Sequence, residues 1–450
     1  MTASAPPVRA AVSHRAVLAI AVPMMFAYLS TALVGAVSIA AIGRLGRADL
    51  TAGIAIGAIL FDILFVSLGF LRSTTLGLTA IALGAGRAER ARAIFQRSLA
   101  LALVLGCVIL GLQRLEIRIG LPLLGAHGTV LRAASGYALI RVFSAPFALG
   151  NYAILGALLG RGRATAGLAL QIILNGTNIL CCIWTVLVLH WGIRGAAVSA
   201  VSGEIVAFVA GLIWLRLTTG PLPGSGLAAA LRDGAGWRQM GVLNRDTLIR
   251  SIALLFAFAF FTRQGASFGA SVLAANAIHL QFFALTANCL DGFAAAAEQM
   301  AGRMIGARHT AGFRRAVQLT LGWSLVSGAA ITLLYLAFGD SFVALLTTAP
   351  EVRAAAATSL VWAALVPVMA AGAFQLDGVF IGATWSRDMR NMMLVSLSVF
   401  LAAWAVLMPA FGNAGLWLAF LIFLGTRGVT LGAVLRARLR TGRVLAAFGN

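Results

Sequence analysis

The sequence predicts an all-α membrane protein with twelve transmembrane helices in two parallel-repeat six-helix lobes, and three observations carry that expectation. Hydrophobic residues make up 61% of the 450 and charged residues only 10%, with a mean hydropathy of +0.96, whereas soluble domains carry about a quarter charged residues. A water-facing surface cannot be assembled from that composition, which excludes soluble enzymes, nucleic-acid binders and secreted disulfide scaffolds. The apolar residues fall in twelve stretches, each long enough to cross a hydrocarbon core of about 30 Å. Glycine, proline and arginine positions recur between the first six and the last six at a near-constant offset.

In chain order, a short segment to Arg15 leads into an apolar run over residues 16–42 with Pro23 inside. That run exceeds the roughly 7–15 apolar residues of a signal-peptide core, so it reads as the first span. The others follow at 50–83, 95–113, 133–159, 165–190, 193–216, 241–262, 269–302, 315–338, 355–384, 392–411 and 414–436. Backbone amides in lipid must be paired within their own segment, and the alternating short segments of a β-barrel are missing, so every span is a helix. The longest break, residues 217–240, opens with TTGPLPGSG at the middle of the chain. It divides the sequence into a first lobe over 1–222, a cytoplasmic linker over 223–240 and a second lobe over 241–450.

All 34 basic residues are Arg, against 13 acids, for a net charge of +21. Most sit in the gaps between spans rather than on one basic face, which argues against a nucleic-acid partner. The termini and the even-numbered connections hold 23 of them, the other connections hold eight, and Arg72, Arg141 and Arg427 lie inside spans. By the positive-inside rule both termini are cytoplasmic, in a multi-pass protein of the bacterial inner (plasma) membrane. Cys107, Cys181, Cys182 and Cys289 lie in apolar runs without metal-ligand spacing and read as small buried hydrophobes. No metal, cofactor or catalytic motif is evident, and a Walker-type phosphate loop is impossible without lysine.

The repeat fixes the architecture. Gly84-Ala85 followed by Arg92 and Gln96 reappears as Gly306-Ala307 followed by Arg314 and Gln318, an offset of 222. Pro146 and Gly156 return as Pro367 and Gly378, and Gly192 and Gly195 as Gly412 and Gly415, at offsets of 220 to 222. Single matches mean little among so many glycines; the shared offset is the signal. Six spans per half is an even number, so both halves have the same orientation, an arrangement that encloses a central site in transporters.

Several stretches resemble the MATE (multidrug and toxic compound extrusion) family. They are Ala21-Val22-Pro23 in the first span, Gly43-Arg44-Leu45-Gly46 after it, and the Gly-Ala-Arg pattern ending the eighth. The DinF-like branch is resembled by Phe70-Leu71-Arg72-Ser73-Thr74-Thr75, Leu243-Asn244-Arg245-Asp246 with Arg250-Ser251, Leu290-Asp291-Gly292-Phe293-Ala294, and Leu376-Asp377-Gly378-Val379-Phe380 with Met389-Arg390-Asn391. The resemblance covers essentially the whole chain. It implies an antiporter whose lobes alternate between inward-open and outward-open V shapes, expelling cationic or amphipathic compounds against an inward flow of protons or sodium. Many members of that branch carry a Val-Asp pair in the first helix, whose Asp is taken to bind the coupling proton, and a second acid four residues after an Asn in the fifth. This chain has Val37-Ser38 and, four residues after Asn178, Cys182. The amino-terminal cation site is therefore expected to be dismantled.

Ionised side chains inside a bilayer cost several kcal/mol, so acids in spans face a cavity or a partner. Asp62, Glu204, Asp291, Glu298 and Asp377 qualify. Asp291 and Glu298 are two helical turns apart on one face, about 10 Å, and Asn288 extends that polar stripe. Asp377 lies beside Gly378 and Gln375, ten residues after Pro367. Asp62 is a candidate to replace the charge missing at Ser38, or a local hydrogen bonder. Asp291, Asp377, Asp62 and Glu298 are thus the candidates for cation coupling, each set against an ordinary helix-packing role. Glu204, with its small neighbours Ser202 and Gly203, reads as a helix lock.

Substrate contacts are expected from Asn178, Asn288, Gln375 and an aromatic surface including Phe61, Phe65, Phe282, Phe283, Phe374 and Phe380. Asp246 and Arg250, spaced i, i+4, permit an ion pair, and with Arg245 and Asn244 they suggest a cytoplasmic gate. The leading function is secondary active efflux of a small amphipathic or cationic substrate by a monomeric protein in contact with membrane lipid. The coupling ion is a proton, with sodium as the alternative. Flipping of lipids or lipid-linked intermediates, and organic-acid export on the same fold, are the competing readings.

Overall fold

The computed structural model describes residues 12–44, 46–219 and 227–445; Leu45 and the proline-containing part of the central break lie outside the described residues. Among the described residues, eleven helices are long and apolar enough to cross a membrane. They are α1 (His14–Gly43), α2 (Asp49–Gly84), α3 (Ala88–Gly111), α4 (Gly128–Gly160), α5 (Ala164–Val188), α6 (Gly192–Thr218), α7 (Gly234–Ala266), α8 (Ala270–Gly306), α9 (Thr310–Leu346), α10 (Pro350–Gly382) and a last helix, Ser386–Arg440. That last helix has 55 residues, about 82 Å of α-helix, far more than one crossing needs. Gly412 inside it has φ 57° and ψ −133°, so two spans are joined at a kink. They are α11 over 386–411 and α12 over 413–440, and twelve crossings result.

The central break differs most from expectation. The seventh span, expected from residue 241, begins at Gly234, and a short helix, Leu227–Arg232, precedes it. Polarity suggested a loop here, but Asp233 starts the helix locally: its Oδ1 accepts the Gly236 amide at 3.0 Å, an N-cap arrangement. Its Oδ2 accepts from Arg97 Nη1 at 2.5 Å. The Gly236 amide, with Arg97 behind it, holds the Asp233 carboxyl below its ordinary range.

The chain divides into two compact units. One comprises Phe26–Ala82 and Arg87–Gly241; the other comprises the residues up to Met25, Leu83–Gly86 and everything from Val242 on. The repeat is visible inside each unit as the same close approach between helices. In the first unit, a Cβ on Gly156 would strike the Arg72 carbonyl and one on Gly160 the Leu76 carbonyl. In the second, Gly378 meets the Ala294 carbonyl and Gly382 the Glu298 carbonyl. All four positions are displaced by the same 222 residues. Left-handed turn residues recur too: Gly86, Gly162 and Gly192 in the first half correspond to Arg308, Thr384 and Gly412 in the second. Arg308 and Thr384 adopt a conformation that glycine takes without steric cost.

Candidate functional site

In the second unit the buried charges meet where α7, α8, α10 and α12 pack. Gly378 and Gly382 have no side chain to hold α10 away from α8, so the two backbones touch and Asp377 is drawn into the interior. Asp377, 5% exposed, accepts from Arg250 Nη1 of α7 at 2.8 Å and from Arg427 Nη2 of α12. The Arg427 guanidinium also lies 5.6 Å from the Phe374 ring centroid. Asp291 of α8 is half-buried and close enough for its charge to act on Arg250. Two turns further along α8, Glu298 is 2% exposed. One carboxylate shared by two guanidiniums is a structural anchor, because its removal would leave buried cations uncompensated.

The pairing expected between Asp246 and Arg250 is corrected by the structure. Asp246, fully buried, accepts from Arg390 Nη1 at 2.7 Å, Arg245 Nη2 at 3.1 Å and Ser386 Oγ at 3.1 Å, while Arg250 turns to Asp377. An i, i+4 pair on an exposed helix gains only about 0.3–0.5 kcal/mol. Here partners from α10 and α11 outcompete the local one: Asp377 takes Arg250, and Ser386 and Arg390 take Asp246. Asp246 therefore ties α7 to the start of α11. Asn244, two residues earlier in the same helix, is also buried.

The remaining candidates in this unit are packed rather than gathered on one surface. Gln375 is fully buried and donates to Thr320 Oγ1 at 2.8 Å. Phe283 is 5% exposed between Phe258, Phe374 and Phe420, Phe282 stacks on Tyr335, and Phe380 is fully buried. Asn288 is half-buried on α8. His279 is 1% exposed, with Nδ1 2.7 Å from Tyr335 Oη and Nε2 3.1 Å from the Ala356 carbonyl. A short polar network that sequence reading missed lies beside it. Asn276 and Asn413 exchange two amide hydrogen bonds, and Trp417 Nε1 donates to Asn276 at 2.9 Å.

In the first unit, Ser38 and Cys182 meet, with Oγ and Sγ 4.0 Å apart. Ser199 Oγ donates to Asn178 Oδ1 at 3.1 Å, and Asn178, Cys182 and Ser199 are all buried. The positions where the resemblance led one to look for two acids thus form a neutral cluster of hydroxyl, thiol and amide. Charge in this unit lies elsewhere. Glu204 of α6 accepts from Asn151 Nδ2 at 2.8 Å and lies 3.9 Å from Arg141 of α4. The Arg141 guanidinium sits 5.8 Å from the Phe61 centroid and 5.5 Å from that of Phe65. Its charge also reaches Asp62 of α2, which is exposed. Glu204, expected as a helix lock among small residues, is held by an amide and a guanidinium. The sequence signal for this cluster was an arginine inside an apolar run, which the family motifs do not single out.

Repeated bundles of membrane-crossing helices with charged clusters buried at their centres define a polytopic membrane transporter. A family model, MatE, matches residues 23–184 and 247–407, and the chain belongs to the MATE family, whose members are transporters. It is 35% identical over 437 residues to DNA damage-inducible protein F of Escherichia coli (strain K12), covering 97% of this chain and 95% of that protein. It is 27% identical over 471 residues to the probable multidrug resistance protein NorM of Deinococcus radiodurans, covering 98% of this chain and 99% of that one. Among solved structures, the Vibrio cholerae MATE transporter VcmN in its bent form matches with a TM-score of 0.87 at 20% identity, over 96% of this chain and 98% of that chain. At that identity the structural match carries the fold, and the fold is the expected one.

Proposed function

We propose that the chain is a secondary active exporter of small amphipathic or cationic compounds, driven by inward proton flow through alternating access in a bacterial inner membrane. Its membership of the MATE family and its likeness to a probable multidrug resistance protein support that substrate class. The Arg distribution supports cytoplasmic termini.

One observation carries the coupling assignment: the second unit holds two acids of different exposure on neighbouring helices. Asp377 is buried and shared by two guanidiniums, whereas Asp291 is half-buried. A coupling group must meet water and must exchange its partner for a proton in each cycle. Asp291 fits that demand, with Asp377 anchoring Arg250 opposite it and Glu298 and Asn288 extending the polar stripe. In the first unit the neutral Ser38–Cys182 cluster cannot carry a proton as a carboxylate does.

The test is purified protein in proteoliposomes loaded with ethidium, under imposed proton or sodium gradients of equal size. Ethidium efflux is expected with the proton gradient and not with sodium alone. Equal fluxes with and without any gradient would replace this reading with passive flipping.

A further inference from the structure

The fourth span changes geometry at its middle. Residues Val142–Ser144 form a 3₁₀ turn inside α4, directly after Arg141 and just ahead of Pro146. Proline has no amide hydrogen, and its ring crowds the carbonyl four residues back, here that of Val142, so the helix tightens at that point. Ser144 closes the break: its Oγ accepts from Arg141 Nη1 at 2.6 Å and donates to the Arg141 carbonyl at 2.7 Å. Arg141 therefore projects from a discontinuity rather than from a regular helix.

Its surroundings hold it by charge and ring faces more than by hydrogen bonds to acids. The nearest carboxylate oxygen is Glu204 Oε1 at 3.9 Å, beyond hydrogen-bonding distance. Asp62 makes no hydrogen bond or ion pair with a described residue, although Arg141's charge reaches it. Phe61 and Phe65, beneath the guanidinium, are only 2% and 7% exposed. Asp62 shares one exposed stripe of α2 with Ile59, Ile63 and Val66, at i−3, i+1 and i+4. A charged group at that depth is costly in lipid, which marks it as functional rather than decorative. An exposed carboxylate, two aromatic faces and an aliphatic stripe are together the chemistry that holds an amphipathic monocation. At present the cation over those rings belongs to the protein.

We propose that Asp62, Phe61 and Phe65 form a subsite for the single positive charge of an amphipathic organic ligand, with Arg141 as its resident occupant, displaced towards Glu204 when the ligand binds. This rests on the exporter reading and adds to it a gatekeeper and a charge rule. A shift of about 1 Å brings the guanidinium into charge-assisted hydrogen-bonding range of Glu204, which Asn151 already orients. Eviction of a bound cation lowers the apparent affinity of any competitor, so removing Arg141's charge strengthens binding instead of weakening it. A residue with a merely structural role would not produce that sign.

The experiment is equilibrium binding of tetraphenylphosphonium to the purified full chain in detergent, with no gradient, beside its neutral analogue triphenylphosphine oxide. Arg141→Gln is expected to tighten tetraphenylphosphonium binding by about tenfold and Asp62→Asn to weaken it by about tenfold, leaving the neutral compound unmoved in both. Arg141→Gln leaves Glu204 without its cation, so Arg141→Gln/Glu204→Gln, which has no such acid, carries the test if the single variant elutes as aggregate. Weaker or unchanged tetraphenylphosphonium binding in the folded arginine variant overturns the proposal. So does an equal gain for the neutral analogue, which would mean only added space, or no loss in Asp62→Asn. Because no gradient is applied, failure of proton-driven export would leave this result standing, and failure here would leave export untouched.

Discussion

At the scale of single residues, the two buried acids of the second unit behave differently because of their neighbours. Asp377 is shared by Arg250 and Arg427, and removing the acid of a buried ion cluster strands the opposite charges, at a cost of about 3–5 kcal/mol. Asp377→Asn is therefore expected to lower the thermal midpoint of the purified protein markedly. Fluorescence-detected size-exclusion chromatography after heating reads it; an unchanged midpoint would contradict the anchoring role of Asp377. Asp246 illustrates what sequence spacing can and cannot give. The i, i+4 rule pointed to Arg250, but the partners Arg390 and Ser386 come from the start of α11, more than a hundred residues away. Side-chain pairing inside a packed bundle is decided by which helices touch, and no local pattern contains that information.

At the scale of elements, glycines set the helix contacts. The α8–α10 contact depends on Gly378 and Gly382, whose missing Cβ atoms let α10 lie against the Ala294 and Glu298 carbonyls. Gly378→Ala would force backbone apart from backbone and move Asp377 with it, and overpacking of this kind costs about 1–3 kcal/mol. Gly372→Ala, on the same helix with nothing within 4 Å of the added carbon, should be tolerated. Thermal midpoints of the two variants check this, and equal tolerance would argue against the close approach. Gly378 was legible in sequence as the repeat of Gly156, and the structure gives the reason: corresponding glycines make corresponding contacts in both units, Gly160 and Gly382 among them. The helical nature of residues 227–241 was not legible, because Asp233 supplies its cap and its anchor to Arg97 only in three dimensions. Likewise Phe61 and Phe283, equivalent positions that both suggested a binding surface, are largely covered; Phe61 lies beneath Arg141 and Phe283 within a cluster of other phenylalanines.

At the scale of the whole molecule, composition decided the class. With one residue in ten charged, the arginines concentrated between apolar runs and no lysine at all, only a multi-pass helical protein satisfies the backbone in lipid. The family followed from ordered polar motifs, and the MatE match over both halves establishes it. The departure at Ser38 and Cys182 was equally readable, and the structure shows that the two residues do face each other in a neutral cluster. The charge inside the spans centres instead on Arg141, Arg250 and Arg427, whose partners come from other helices and are visible only in the fold.

The central claim is that coupling rests on an acid of the second unit and not on the first-helix position. Proton-driven uptake of ethidium into inverted membrane vesicles, at matched protein levels, tests it most directly. The account predicts that Asp291→Asn abolishes uptake while the protein remains folded in the membrane, and that Ser38→Ala retains most of it. Normal uptake in Asp291→Asn, or complete loss in Ser38→Ala alone, would contradict it.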